Sequence, residues 1–229
     1  MDFNLEKKRY VEQLAFQQKE HQKDKSKKGF LDFEVKELVT AINQLDQFYT
    51  TSSCAGRIIL FRAVTSKKCD NQWIYVSHKK VQKKQLISLI QSSFDQNENS
   101  FVHDENTFAE NKGIRVSGKG ARDEGADRGV VWLRYEPLIL HVCAASVEDA
   151  EQFLDLARQV GFKRGGITSA KKRVMMEIAG VDRLDVPLAF DQQLFADEKY
   201  LGFLIDEANK KLLCNLERIK KFIGLLKKI

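Results

Sequence analysis

The chain has 229 residues, with 38 Lys and Arg against 32 Asp and Glu, 43% hydrophobic and 10% aromatic positions, two prolines and four cysteines. That balance excludes a wholly disordered chain, and no apolar run approaches the roughly 20 residues that a membrane-crossing helix needs. Cys54, Cys69, Cys143 and Cys214 stand far apart with no CxxC pair, so neither a disulfide framework nor a zinc knuckle is indicated and no metal is expected. The N-terminus lacks the apolar core of a signal peptide, which leads us to expect a cytoplasmic protein folded as one domain over 1–229.

In chain order, Phe3 to Lys23 reads as a polar helix anchored by Phe3, Tyr10 and Leu14. After a turn at Asp24 to Gly29, Asp32 can cap a helix whose Val35, Leu38, Val39, Ile42 and Leu45 share one face, ending near Phe48. Arg57 to Val64 and Gln72 to Ser77 are short, β-branched and aromatic runs that predict strands, and Val81 to Ser93 returns to helical spacing. From Phe94 to Gly129 aliphatic residues thin out and periodicity is lost, which predicts a flexible insertion. Val130 to Tyr135 and Leu138 to Cys143 predict two strands around Glu136-Pro137. Ser146 opens a capping pattern for a helix whose buried stripe is Ala150, Phe153, Leu154, Ala157 and Val160, with Gly161 as its stop. Arg173 to Ile178 and Leu184 to Leu188 predict further strands, and Asp197 to Leu226 a long helix. Adjacent strand pairs without a strict βαβ repeat predict an α/β or α+β domain with a mixed sheet flanked by helices.

The charge of +6 is unevenly spread. Between Asn209 and Ile229 seven cations, among them Lys210, Lys220 and Lys221, face one acid, Glu217, and a second cluster runs from Lys19 to Lys28. Such clusters suit a polyanion as well as a solvated helix face. Gly113 to Gly120 satisfies GxxxxGK, but it lacks the following hydroxyl, the preceding strand and the succeeding helix of a phosphate-binding loop. No GxGxxG follows any strand, so the ordinary dinucleotide grip is missing.

Thr50 to Arg57 (TTSSCAGR) places five small hydroxyl or thiol side chains and a Gly-Arg pair between a helix and a strand. Read as a turn, it offers donors and a guanidinium for carboxylate or phosphate, or else merely satisfies its own backbone. Cys54 would need an activating base to serve as a nucleophile. His78 stands at a strand end and His141 lies inside an apolar strand, where a structural role is as natural as a functional one. Trp73 and Tyr75 alternate on one strand face, which suits base stacking or, more commonly, a packed core. Gly161 to Thr168 (GFKRGGIT) puts Lys163-Arg164 beside two glycines, suited either to phosphate or to a helix stop with a solvated tip.

Taken together, TTSSCAGRIIL, WIYVSH, YEPLILHV, GFKRGGIT, LDVPL and EKYLGFLIDEANKK occur in an order that closely resembles the tRNA wybutosine-synthesizing protein 3 family, and DKSKKG looks like its charged N-terminal motif. The resemblance implies an S-adenosylmethionine-dependent methyltransferase acting on N4 of the tricyclic wyosine precursor at position 37 of tRNA specific for phenylalanine, on a fold unlike the Rossmann methyltransferases. The family's Ser-Ser-x-x-Gly-Arg pattern falls on Ser52, Ser53, Gly56 and Arg57, its histidines on His78 and His141, and its later glycine motif on Gly161, Phe162, Lys163, Gly166 and Ile167. Gly165 stands where the family usually has serine. The expected catalytic group is Asp24, Ser53, Arg57 and His78, with Ser52, Ser53, Gly56, Arg57, His141 and Gly166 at the cofactor. Lys25, Lys27, Lys28, Lys163, Arg164, Lys210, Lys220 and Lys221 are expected on tRNA. A non-catalytic RNA-binding module of the same fold is the competing expectation.

Overall fold

A computed structural model describes residues 2–20, 31–63, 71–92, 129–191 and 193–229. Nearly all of the expected insertion, including the GxxxxGK run, lies outside them, as do Asp24, Lys25, Lys27 and Lys28. The elements in chain order are α1 (Phe3–Glu20), α2 (Phe33–Gln44), β1 (Phe48–Cys54), β2 (Arg57–Ala63), β3 (Gln72–Ser77), α3 (Lys83–Ser92), β4 (Val130–Glu136), β5 (Ile139–Ala144), α4 (Val147–Gln159), β6 (Arg164–Ser169), β7 (Val174–Ala179), β8 (Leu184–Phe190), β9 (Gln193–Leu194) and α5 (Glu198–Leu226). They fall into two compact units, one of Met1–Gly56, Pro137–Asp182 and Leu213–Ile229, the other of Arg57–Glu136 and Arg183–Leu212.

In the first unit four strands lie in the order β1-β5-β7-β6, every pairing antiparallel. One face of this sheet is apolar because Leu140 and Val142 of β5 alternate with His141, and Met176 and Ile178 of β7 alternate with Glu177. It shares a core with the stripe Val35, Leu38, Val39 and Ile42 of α2, with Ala150, Phe153, Leu154 and Ala157 of α4, and with Ile219, Phe222, Ile223 and Leu226 of α5. Phe153 sits at its centre, 4.7 Å from Phe48 and 5.3 Å from Phe222 between ring centroids. Burying each such ring contributes about 2–3 kcal/mol. Ser146 caps α4 as its pattern requires, its Oγ accepting from the Asp149 N–H at 3.0 Å. Gly161 then takes φ +98, a left-handed turn that returns Phe162 to the core.

In the second unit five strands run β3-β2-β4-β8-β9, again with every pairing antiparallel. The non-Rossmann α+β class is the expected one, but two antiparallel sheets replace the expected mixed sheet. The sequence neighbours β2–β3, β6–β7 and β8–β9 pair antiparallel, and every remaining pairing is antiparallel as well. Two of the expected turns are also strand. Thr50 to Cys54 belongs to β1, and Arg164 to Thr168 to β6, each drawn into a ladder by its neighbour. Accordingly α2 ends at Gln44, earlier than its apolar spacing suggests.

Candidate active site

A bulge makes the first part of the site. Thr50 pairs with Val142, yet Ser52 pairs with His141, so Thr51 is an extra residue in β1. Were Thr51 paired in a regular ladder, Ser52 would stand opposite Leu140, on the core side; the bulge turns its hydroxyl to the polar face. Ser52 Oγ lies 2.8 Å from His141 Nδ1 and His141 Nε2 lies 3.1 Å from Glu177 Oε2. These three side chains and Gly166, which pairs with Glu177, form one row across β1, β5, β7 and β6. Ser53, next along β1, pairs with Leu140 and therefore points to the other face.

Beyond the row the same face is closed by α1. Tyr49 stacks on Tyr10 at 5.1 Å and donates to Glu6 Oε2 at 3.2 Å. Burial, then the hydrogen bond with Cys143, push the Tyr49 phenol far above its usual value, and burial pushes the Cys143 thiol up as well. Hydrogen bonding to Glu6 raises Arg173 in turn. This corner is a network of bonded side chains beside a cavity of about 180 Å³ lined by Glu6, Cys143 and Arg173.

The loop after β1 is held from both sides. Asp32 occupies the N-cap position of α2, but its carboxylate makes no cap bond and accepts instead from the Ala55 N–H at 2.8 Å. Ala55 is fully buried, so its N–H needs an acceptor that water cannot supply. Asn215 of α5 donates to the Ala55 carbonyl at 2.7 Å and accepts from the Leu138 N–H at 3.0 Å. Gly56 follows with φ +98, a conformation that favours glycine. Asn215 escapes a reading of the sequence because one asparagine on a charged helix carries no pattern.

Gly165 answers the departure from the family serine. A Cβ there would stand 2.8 Å from the Glu177 carbonyl oxygen and 3.3 Å from Leu154 Cδ2. At Gly166, by contrast, the space within 4 Å is open. Lys163 and Arg164 are exposed.

In the second unit Arg57 is already paired. Its Nε and Nη2 donate to Glu136 Oε2 at 3.0 and 2.9 Å, and its guanidinium covers the Trp73 ring at 5.0 Å. Arg134 joins the same Glu136 at 3.7 Å, bonds Asp185 and lies 4.8 Å from the Phe61 ring centre. The expected stacking face of Trp73 thus lies under a guanidinium. His78 is half-buried just past the end of β3. An exposed stacked pair that the sequence reading missed, Tyr200 and Phe203 at 6.4 Å, lies on α5; Phe203 lines a groove of about 860 Å³ together with Lys83, Lys84 and Lys199. Lys210 is exposed in this unit; Lys220 and Lys221 are exposed in the first.

Fold and comparisons together define a methyltransferase class built without a Rossmann fold. The family model described as methyltransferase TYW3 matches residues 5–228. The chain is 32% identical over 231 residues to the tRNA wybutosine-synthesizing protein 3 homolog of Bos taurus, covering 99% of this chain and 74% of that protein. It is 28% identical over 230 residues to the tRNA(Phe) 7-((3-amino-3-carboxypropyl)-4-demethylwyosine(37)-N(4))-methyltransferase of Thermococcus sibiricus, covering 100% and 96%. The PH1069 protein from Pyrococcus horikoshii superposes with a TM-score of 0.73 at 25% identity, covering 97% of this chain and 96% of that one. The chain belongs to the TYW3 methyltransferase family.

Proposed function

We propose that this protein methylates N4 of the tricyclic wyosine-type base at position 37 of phenylalanine tRNA, taking the methyl group from S-adenosylmethionine. The observation that carries the reading is the family match over residues 5–228, which takes in both sheets. The Thermococcus sibiricus relative bears the name of that reaction. Among the described residues no helix is long and apolar enough to cross a membrane.

The chemistry of the donor set fits a zwitterionic nucleoside. Ser52, His141 and Gly166 offer a partly exposed polar row with open space above the glycine, and Arg164 stands on the same edge strand as Gly166, with Lys163 just before it. We assign the cofactor to Ser52, Gly56, His141 and Gly166 of the first unit. When bound, S-adenosylmethionine supplies an electrophilic methyl group on a sulfonium.

Displacement at that carbon is in line, so the protein's first task is alignment. The second is to remove the proton from the acceptor nitrogen, and His78 is our base. Lys25, Lys27, Lys28, Lys163, Arg164, Lys210, Lys220 and Lys221 contact the RNA backbone, an affinity that falls steeply with salt. Tyr200 and Phe203 provide the stacking surface that Trp73 does not.

Calorimetry with S-adenosylhomocysteine and a methyl-transfer assay on hypomodified phenylalanine tRNA test this together. Wild type is expected to bind the product and turn over; His78→Ala is expected to keep that binding and lose about a hundredfold in rate. Tight tRNA binding with no cofactor binding would instead identify a non-catalytic RNA module.

A further inference from the structure

We infer that Glu177 is a positioning residue for the cofactor end of the site: by fixing the tautomer of His141 it makes Ser52 Oγ a dedicated hydrogen-bond acceptor for an N–H or O–H group of the methyl donor. The inference rests on the methyl-donor reading above for its ligand, and on the geometry alone for its tautomer.

A neutral imidazole carries one N–H and one lone pair. Glu177 Oε2 stands 3.1 Å from His141 Nε2, and an ionised carboxylate can only accept, so Nε2 is the nitrogen that carries the hydrogen. Nδ1 is then the lone pair. Ser52 Oγ lies 2.8 Å from it and must donate its single hydrogen there. The hydroxyl has nothing left to donate, and its own lone pairs remain on an exposed side chain. The bulge at Thr51 is what brings Ser52 into this row, so the fold departs from a regular ladder to place this one acceptor.

The arrangement is the carboxylate–histidine pairing by which proteins commonly orient an imidazole, here ending on a hydroxyl. What it selects is polarity. A ligand group that only accepts, such as a carboxylate, would meet lone pairs and be repelled at Ser52, whereas an ammonium or a ribose hydroxyl would be received. Glu177 touches neither ligand class in this account; it acts through His141. Its side chain is 41% exposed, so it is replaceable without opening a core.

Long-range 1H–15N correlation of the imidazole nitrogens in the intact protein reads the tautomer directly, with His141→Asn identifying the resonance by its loss. Wild type and Glu177→Gln, whose amide oxygen still accepts from Nε2–H, are expected to show the Nε2–H form, and Glu177→Leu a mixture. An Nδ1–H form in wild type, or an unchanged tautomer in the leucine variant, would overturn the inference. Calorimetry then uses S-adenosylhomocysteine, its desamino analogue and 5′-methylthioadenosine. Ser52→Ala and Glu177→Leu should each bind S-adenosylhomocysteine about tenfold more weakly, with Glu177→Gln within about threefold of wild type. Loss confined to S-adenosylhomocysteine assigns the ammonium; equal loss with all three assigns a ribose hydroxyl; no loss with any of them overturns the ligand role. Failure of wild type to bind any of the three removes the methyl-donor reading and that ligand role with it, while the tautomer result still decides the role of Glu177.

Discussion

Each unit presents a polar network on its sheet, and the two are built on opposite principles. In the first, Ser52, His141 and Glu177 bond in single file and end on an exposed hydroxyl. In the second, Arg57, Glu136, Arg134 and Asp185 cross-link, with Trp73 and Phe61 under the guanidiniums. Side-chain exposure is 14% for both Arg57 and Glu136 against 35% and 41% for His141 and Glu177. The charged network is conspicuous in sequence and largely consumed by its own partners. The quieter one keeps bonding capacity for something else.

The sharpest separation comes from the backbone support behind the first network. Asn215→Leu strands the buried Ala55 carbonyl and Leu138 N–H, and urea unfolding should show a loss of about 3 kcal/mol. A loss under about 1 kcal/mol would mean those groups find other partners. Next, Glu136→Leu leaves two guanidiniums facing each other's charge, and the expected cost is about 2 kcal/mol, scaled down from a fully buried pair. Gly165→Ser forces a Cβ against the Glu177 carbonyl at 2.8 Å, and thermal unfolding should register a loss of about 1–2 kcal/mol. Smallest is Glu177→Leu, which should leave stability within about 0.5 kcal/mol, as for other exposed polar pairs. If it proved as damaging as Glu136→Leu, the contrast between the two networks would collapse.

Much of the scaffold was legible because periodicity reports burial: the α2 and α4 stripes and the limits of β2 and β3 follow it closely. What misled was chemistry that local composition shares between states. Thr and Ser run together in turns and in edge strands alike, so TTSSC read as a turn although β5 draws it into a ladder. Glycines in GFKRGGIT suggested a loop, yet Gly165 is there because a neighbouring strand comes too close for a side chain. Ser52, His141 and Gly166 could be named from their motifs. Their alignment in one row, and the presence of Glu177 within it, depend on strand order and on a single bulge that no local window reveals.

The first unit is assembled from three separate stretches of chain, and its core joins Val35 and Leu38 to Phe222 and Leu226. During synthesis that core has to wait. While the ribosome translates the intervening residues, the apolar face of α2 lacks the side chains of α5 that complete its packing, so the early part of the chain is the part that longest needs protection from association. A single proteolytic cut cannot separate the two units, because each is interrupted in sequence by the other, and a shortened product ending before Ile219 would carry the Ser52 strand without Ile219, Phe222, Ile223 and Leu226, the α5 side chains that complete the core beneath it.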